Sequence, residues 1–244
     1  MTPGQRLKVM GVTLALAGFA LAVTLVRSPR VQAQEDDHDR DSNDPRIEQG
    51  FDIAPVRLNL DGKNRKLVGL GSYIVNAQGD CNGCHSAGPA TEFLPGGNPY
   101  FGQKPTKINP ATYLGGGRDF DMISGPPSPH IISRNLTPST KTGLPEGDHT
   151  FEEFLTILRT GKDFDALHPK CSATRTTNCF PPFPPFDGDL LQIMPWPIYG
   201  NMTDHDIRAI YEYLKAIPCI QGNYPGPGGP GANVPPEPAD RCSK

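Results

Sequence analysis

Five consecutive residues, Cys81-Asn82-Gly83-Cys84-His85, constrain this chain more than any other stretch of it. The order Cys-x-x-Cys-His is the attachment sequence of a c-type haem. The two thiols can add across the two vinyl groups of the porphyrin, and the histidine that follows can offer an imidazole nitrogen to the iron. The motif therefore predicts one covalently attached haem c. Its anchors are Cys81 and Cys84, and its proximal iron ligand is His85.

Three other chemistries use a Cys-x-x-Cys pair. A thioredoxin-like redox pair would follow a strand in a β-α-β pattern, and no such pattern is found in the sequence. A zinc site would need a second ligand pair at close spacing, which the other four cysteines do not provide. A structural disulfide between Cys81 and Cys84 is the third alternative. Export and the adjacent His85 favour haem over all three.

The first 33 residues predict export. Arg6 and Lys8 form a positive start, Val9 to Val26 carries no charge, and a small-x-small cleavage pattern ends at Ala33. We therefore expect the mature chain to begin near Gln34 and the protein to be periplasmic or secreted. The 18 residues of the apolar stretch are also just long enough to span a bilayer as an uncleaved anchor.

Charge and composition narrow the function classes. The export segment holds four basic residues and no acidic one, so its removal changes the formal charge from −3 to −7. Such an acidic chain is a poor partner for nucleic acid. The 27 glycines and 28 prolines among 244 residues predict long irregular connections. A haem would give such a chain a large apolar core.

The sequence divides into four parts. Residues 1–33 are the export segment, and residues 34–60 form an acidic arm followed by an extended strap, which covers Gly50 to Leu60. Residues 61–220 form the haem domain. Residues 221–244 are a tail rich in proline and glycine that we expect a disulfide to hold.

Apolar periodicity predicts three helices, from Asn64 to Gly79, Thr150 to Gly161 and Thr203 to Ile217. Thr150 and Glu153 match a capping box at the start of the second helix. The third ends before a proline, which cannot continue it. The fold class is therefore mostly α, with long connections rich in glycine and proline.

The connections carry two further predictions. Gly115 to Ile123 is expected to contain a short hairpin edge. Pro181 to Phe186 contains two phenylalanines, which we expect to form part of a haem-pocket wall, although a polyproline ligand is the alternative.

The sixth iron position could be taken by methionine, by histidine or by no protein group. Met194 precedes Pro195, which biases it to an extended conformation and stiffens the backbone, so Met194 is the predicted ligand. Met202 is explained as a hydrophobic staple with Ile207. Met122 has no organising neighbour. The histidine alternatives are His130, His149, His168 and His205.

The order of elements resembles a class I cytochrome c over about Leu67 to Pro218. That family has a first helix, the haem motif, loops, a middle helix, a methionine and a last helix. The resemblance implies orthogonal helices around one covalently bound haem. It also implies that the first helix crosses the last at Gly69 and Tyr73. The expected partners in the last helix are Ile210, Tyr213 and Leu214.

A narrower resemblance is to the cytochrome c domains that accompany membrane-bound alcohol and sugar dehydrogenases. The matching stretches are Asn135-Leu136-Thr137-Pro138, Glu152-Glu153-Phe154, Leu158-Arg159-Thr160-Gly161 and Met194-Pro195. The resemblance implies that Asn135, Thr137 and Arg159 line the haem. From its position alone, Arg159 could equally serve the dipole of its own helix.

The four remaining cysteines, Cys171, Cys179, Cys219 and Cys242, allow three pairings. We favour Cys171–Cys179 and Cys219–Cys242. The first would close a short polar loop, and the second would tie the tail to the end of the last helix. Free thiols are unfavoured after export.

Together these features predict an exported monohaem c-type cytochrome. It would transfer single electrons between redox partners, such as a membrane-bound dehydrogenase or oxidase, and catalyse no bond chemistry. One alternative is a haem peroxidase or gas sensor with an open distal site. The other is the electron-accepting subunit of a dehydrogenase complex.

Overall fold

Helices form most of the regular structure in this computed structural model, which describes residues 44–120, 131–164, 190–222 and 241–243. Extended pairing within these ranges is limited to isolated antiparallel bridges, which join Phe93 to Ile108, Asp119 to Ile132 and Lys162 to Leu190. The second bridge pairs part of the expected hairpin edge. The mostly α fold predicted from the sequence is confirmed at the level of secondary structure.

The described ranges contain six α-helices. They are α1 (Pro45–Ile53), α2 (Arg65–Tyr73), α3 (Cys81–His85), α4 (Phe151–Thr160), α5 (Trp196–Tyr199) and α6 (Asp204–Ala216). Helix α2 continues as a π-helical turn, Ile74–Gln78, and a 3₁₀ turn covers Pro99–Phe101. The three helices predicted from periodicity are present. Their N-caps are Asn64, Thr150 and Thr203, and the capping box at Thr150 is complete.

Helix α1 was not predicted from the sequence. The extended strap proposed for Gly50 to Leu60 is wrong over the last turn of α1, and only residues 54–60 are irregular. The helix begins because the Asp44 carboxylate accepts a hydrogen bond from the Arg46 amide at 2.9 Å, and because Pro45 takes the first helical position.

Helices α1, α2 and α6 pack backbone to backbone at small residues, and we call them the helical frame. A Cβ at Gly50 would overlap the carbonyl oxygen of Gly69. A Cβ at Gly71 would overlap the Ala209 carbonyl and lie 2.7 Å from the Cβ of Tyr213. The expected crossing of Gly69 with the last helix is therefore wrong. Residues two apart lie about 200° apart around a helix, so α2 presents one glycine to each neighbour.

A buried hydroxyl network joins three parts of the core. The Tyr113 hydroxyl donates to Asn76 Oδ1 at 2.6 Å and lies 2.8 Å from the Tyr213 hydroxyl. Asn76 belongs to the π-helical turn, Tyr113 to the long loop and Tyr213 to α6. Burial raises the pKa of both tyrosines, so both remain neutral hydrogen-bonding groups.

The chain after α6 is held by the Cys219–Cys242 disulfide, whose Cα atoms lie 5.6 Å apart, and this pairing is confirmed. Within the described ranges no helix is both long and apolar enough to cross a membrane. Several predictions lie outside the described residues: the export segment, most of the acidic arm, the Cys171–Cys179 pair, the phenylalanine wall, Met122, His130 and His168.

Candidate haem site

An apolar cavity of about 310 Å³ lies beside α3. Cys81, Cys84, His85 and Met194 all line it, so the fold brings the two predicted anchors and both predicted iron ligands to one space. Much of the rest of the lining is aliphatic or aromatic and includes Ile74, Val75, Ile131, Phe154, Leu158 and Leu214.

A single helical turn displays the Cys-x-x-Cys-His motif. Helix α3 spans five residues, so the two cysteines and the histidine, at positions i, i+3 and i+4, share one face. Asp80 precedes the helix in a left-handed conformation with φ of 44°, which turns the chain sharply after the π-helical turn. A Cβ at Gly83 would lie 2.7 Å from Asp80 Oδ2. The Asp80 carboxylate therefore packs beside Gly83.

The His85 ring is oriented by the backbone of Arg134. His85 Nδ1 lies 2.8 Å from the Arg134 carbonyl oxygen, which can only accept a hydrogen bond. The proton therefore sits on Nδ1, and Nε2 keeps its lone pair for a metal. The apolar surroundings lower the pKa of His85, which favours the neutral ring that ligates iron.

The two cysteines are not joined to each other in the structure. Burial raises the pKa of the Cys81 thiol to about 12, and it raises the pKa of the Cys84 thiol above its ordinary value. The cavity therefore favours uncharged sulfur. A thioether is uncharged, so attachment to a porphyrin vinyl group suits these surroundings, whereas a reactive thiolate does not.

Residues 190–200, which we call the methionine segment, carry Met194. The Leu191 amide donates to the Gly161 carbonyl at 2.7 Å, and the Trp196 indole donates to the Leu191 carbonyl at 3.1 Å. Gly161 ends α4 with φ of 72°, and a Cβ there would overlap the Trp196 ring. The indole thus packs directly on the end of α4. Helix α5 follows at once, with Pro195 as its N-cap.

The chain is similar to cytochrome c subunits of sugar dehydrogenases. It is 29% identical over 175 residues to the gluconate 2-dehydrogenase cytochrome c subunit of Pantoea cypripedii, covering 70% of this chain and 28% of that protein. It is 26% identical over 160 residues to the fructose dehydrogenase cytochrome subunit of Gluconobacter japonicus, covering 66% and 23%. The chain therefore spans about a quarter of the length of these relatives. No protein-family model and no solved structure matches it.

Asn135 and Thr137 lie outside the cavity lining. Asn135 Nδ2 donates to the Ile220 carbonyl at 2.8 Å, and its Oδ1 accepts from the Thr137 hydroxyl at 2.7 Å. The pair thus ties the loop after Arg134 to the chain that follows α6. These contacts explain both residues structurally, and their contact with haem stays a prediction.

Arg159 is also absent from the lining. Its guanidinium donates to the Gly200 carbonyl and pairs with the Asp204 carboxylate, which is 74% exposed. Arg159 therefore links α4 to the end of the methionine segment and the start of α6. Its contact with a haem propionate stays a prediction as well.

The structure adds a second thioether to the cavity. Met202, predicted to act only as a staple, lines the cavity together with Met194 and packs against the same core as Ile207. Of the histidine alternatives in the described residues, neither His149 nor His205 lines the cavity. His149 is buried beside Phe164, with ring centroids 5.6 Å apart.

Two contributors to the site escaped the sequence analysis. Arg134 orients His85 through its carbonyl oxygen, and nothing in its residue type indicates this. Arg118 donates to the Gly83 carbonyl inside the motif. In the sequence, Arg118 was marked only by its place within the expected hairpin edge, Gly115 to Ile123.

The residues present fit a c-type haem. Two uncharged sulfurs, an imidazole with Nε2 available and a thioether face one apolar space. These are the groups that haem attachment and axial ligation require.

Proposed function

We propose that this protein is a c-type cytochrome domain that carries one haem and transfers single electrons. The convergence of Cys81, Cys84, His85 and Met194 on one apolar cavity is the observation that carries the proposal. The haem iron supplies the chemistry by alternating between its ferric and ferrous states. The chain anchors the group through the two sulfurs and ligates it through His85 Nε2 and the Met194 sulfur.

The surrounding residues support this role by orienting the His85 ring and by lowering the polarity of the site. The carbonyl of Arg134 holds the Nδ1 proton of His85, which fixes the ring and raises the basicity of the opposite nitrogen. The largely apolar lining lowers the polarity around a bound haem. A His/Met ligand pair raises the reduction potential relative to two histidines. If His85 and Met194 both ligated the iron, no position would be left for a substrate, which favours carrying electrons over peroxidase activity or gas sensing.

The similarity to cytochrome subunits of gluconate and fructose dehydrogenases supports a dehydrogenase as the electron donor. We propose that the protein accepts electrons from such an enzyme outside the cytoplasm and passes them to a second redox protein, such as an oxidase. Co-purification of the protein from its own host, with partners identified by mass spectrometry, tests this. Recovery without any oxidoreductase would contradict the assignment of a dehydrogenase partner.

Covalent haem is the first point to test. The exported protein should give the pyridine haemochrome spectrum of a haem bound through two thioethers, with one haem per chain. The double variant Cys81→Ala/Cys84→Ala should give none after acid–acetone extraction, which removes haem that is not covalently bound. If the wild-type protein carries no covalent haem, the proposal is wrong.

The identity of the sixth ligand is the second point, because two methionines line the cavity. Ligation by Met194 predicts that Met194→Ala loses the ferric methionine–iron charge-transfer band, while Met202→Ala keeps it. The opposite pattern would assign the ligand to Met202. Retention of the band in both single variants would contradict ligation by Met194.

A further inference from the structure

We propose that the buried ion pair between Arg134 and Asp163 is a positioning pair. It fixes the loop that orients His85 relative to the segment that carries Met194. The inference rests on the proposed function, because it concerns a haem ligated by both residues. It adds two residues that set the sixth ligand without touching the iron.

The pair is unusually well removed from solvent. The Asp163 side chain has no exposed area and that of Arg134 is 12% exposed, and the Arg134 guanidinium donates directly to the Asp163 carboxylate. Removing the charge of one partner leaves the other charge buried opposite a neutral side chain. The chain must therefore keep the segments that carry Arg134 and Asp163 side by side.

On one side the pair reaches His85 within a single residue. The side chain of Arg134 is fixed by Asp163, and the carbonyl of the same residue accepts the His85 Nδ1 hydrogen bond at 2.8 Å. Arg134 also lines the cavity. A shift of the Arg134 backbone would thus change the direction and strength of the bond that orients the proximal ring.

On the other side the pair reaches the methionine segment. Asp163 follows Lys162, which forms an antiparallel bridge with Leu190. The Gly161 carbonyl accepts from the Leu191 amide at 2.7 Å, and Met194 lies three residues further along the chain. Asp163 therefore sits where the chain leaving α4 is fastened to the chain that presents Met194.

A positioning role differs measurably from a structural one. A pair that only stabilised the fold would lower the unfolding temperature and leave the spectrum of the folded protein unchanged. A pair that fixes the Arg134 loop relative to the methionine segment would change the Met194–iron bond in protein that is still folded. The methionine–iron charge-transfer band and the reduction potential report that bond, because loss of the methionine lowers the potential.

The experiment compares four proteins with the wild type: Asp163→Asn, Arg134→Gln, the double variant, and Glu48→Gln as control. Glu48 forms an exposed pair with Arg65 at 3.7 Å, and neither residue lines the cavity. Each single variant should keep its covalent haem, lose most of the band and shift its potential to a more negative value. The double variant should lose less than either single variant, because both charges of the pair are removed together. The control should match the wild type.

The outcomes separate this inference from the proposed function. If the wild-type protein lacks covalent haem or the methionine band, the proposed function or its ligand assignment fails. If the wild type shows both, and the single variants keep the band and the potential, the positioning pair is refuted while the cytochrome assignment stands. If a single variant does not fold, the double variant decides. A double variant with larger losses than the surviving single variant would refute a paired role.

Discussion

The helical frame and the methionine segment are held together in different ways. In the frame, α1, α2 and α6 approach so closely that Gly50 and Gly71 leave no room for a Cβ, and Val68, Ala209 and Tyr213 have no exposed area. In the methionine segment no residue is fully buried. Separate contacts hold it, such as the Leu191 amide bond to the Gly161 carbonyl, the Trp196 ring and the Arg159 bond to the Gly200 carbonyl. We therefore expect the frame to contribute more to folding stability than the methionine segment does.

The same contrast separates the two proposed iron ligands. His85 lies on the helical turn that carries both anchoring cysteines, and its ring has a backbone hydrogen bond of its own. Met194 lies on an irregular segment between Leu191 and α5. Segments with few buried contacts open at a lower free energy than the core. We therefore expect the methionine to leave the iron before the histidine under any mild perturbation.

The largest effect is expected in the frame. Gly71→Leu would drive a side chain into the backbone of α6 at Ala209, and we expect a loss of about 4 kcal/mol in the free energy of unfolding. Urea denaturation followed by circular dichroism measures it. Ala77→Leu is the matched control, because Ala77 is exposed on the adjoining helical turn. Equal stability of the two variants would show that the frame does not depend on close approach at Gly71.

The disulfide should have the next largest effect. Cys219→Ser/Cys242→Ser frees a loop of 23 residues in the unfolded chain and should lower the free energy of unfolding by about 3 kcal/mol. Arg241, next to Cys242, donates to the Thr137 carbonyl, so the same change should loosen the loop that follows Arg134. Urea denaturation followed by circular dichroism measures the loss. A double variant as stable as the wild type would contradict this prediction.

A change beside the methionine segment should cost little folding stability but weaken the methionine–iron band. Gly161→Ala would strain a left-handed residue and displace the Trp196 ring, costing about 1–2 kcal/mol and weakening the methionine–iron band. Gly143→Ala is the control, because Gly143 has a similar φ of 70° and a Cβ added there would meet no atom within 4 Å. The control should lose similar stability and keep the band. Loss of the band in both variants would show that the contact between the Trp196 ring and Gly161 has no specific effect on the methionine–iron bond.

The smallest effect is expected at the start of α1. A hydrogen bond from the Arg46 side chain holds the pKa of Asp44 below its ordinary value of about 3.8. A lowered folded-state pKa stabilises the protein above that ordinary value, and the contribution disappears as pH falls through the folded-state pKa. The loss should be less than about 1 kcal/mol, because Arg46 is partly exposed. Asp44→Asn should show a flatter acid dependence in thermal unfolding, and identical profiles would contradict the assignment.

The sequence predicted those features that are determined by residues close together along the chain. The caps at Asn64, Thr150 and Thr203 and the terminal Gly161 are such features, because each acts within one helical turn. The Cys-x-x-Cys-His motif acts the same way. The start of α1 was missed although Asp44-Pro45 is a local signal, because the preceding run of acidic residues suggested a solvated arm.

The remaining features depend on contacts between distant segments. Gly69 and Gly71 are both glycines of α2, and the sequence does not distinguish them. Only the packing of the helices shows that Gly71 meets α6. Arg134 acts through a carbonyl group that every residue has, so its side chain gave no indication. Nothing in the sequence indicated that the Asp163 side chain is buried and paired with Arg134, 29 positions away.

Trp196 gives the molecule a built-in optical reporter. It is the single tryptophan of the chain, it lies two residues after Met194, and its ring packs on Gly161. Intrinsic tryptophan fluorescence therefore comes from the methionine segment and from nowhere else in the protein. Emission recorded during unfolding would follow the release of this segment, while circular dichroism would follow the frame. One unlabelled sample would therefore show whether the segment and the frame unfold in the same transition.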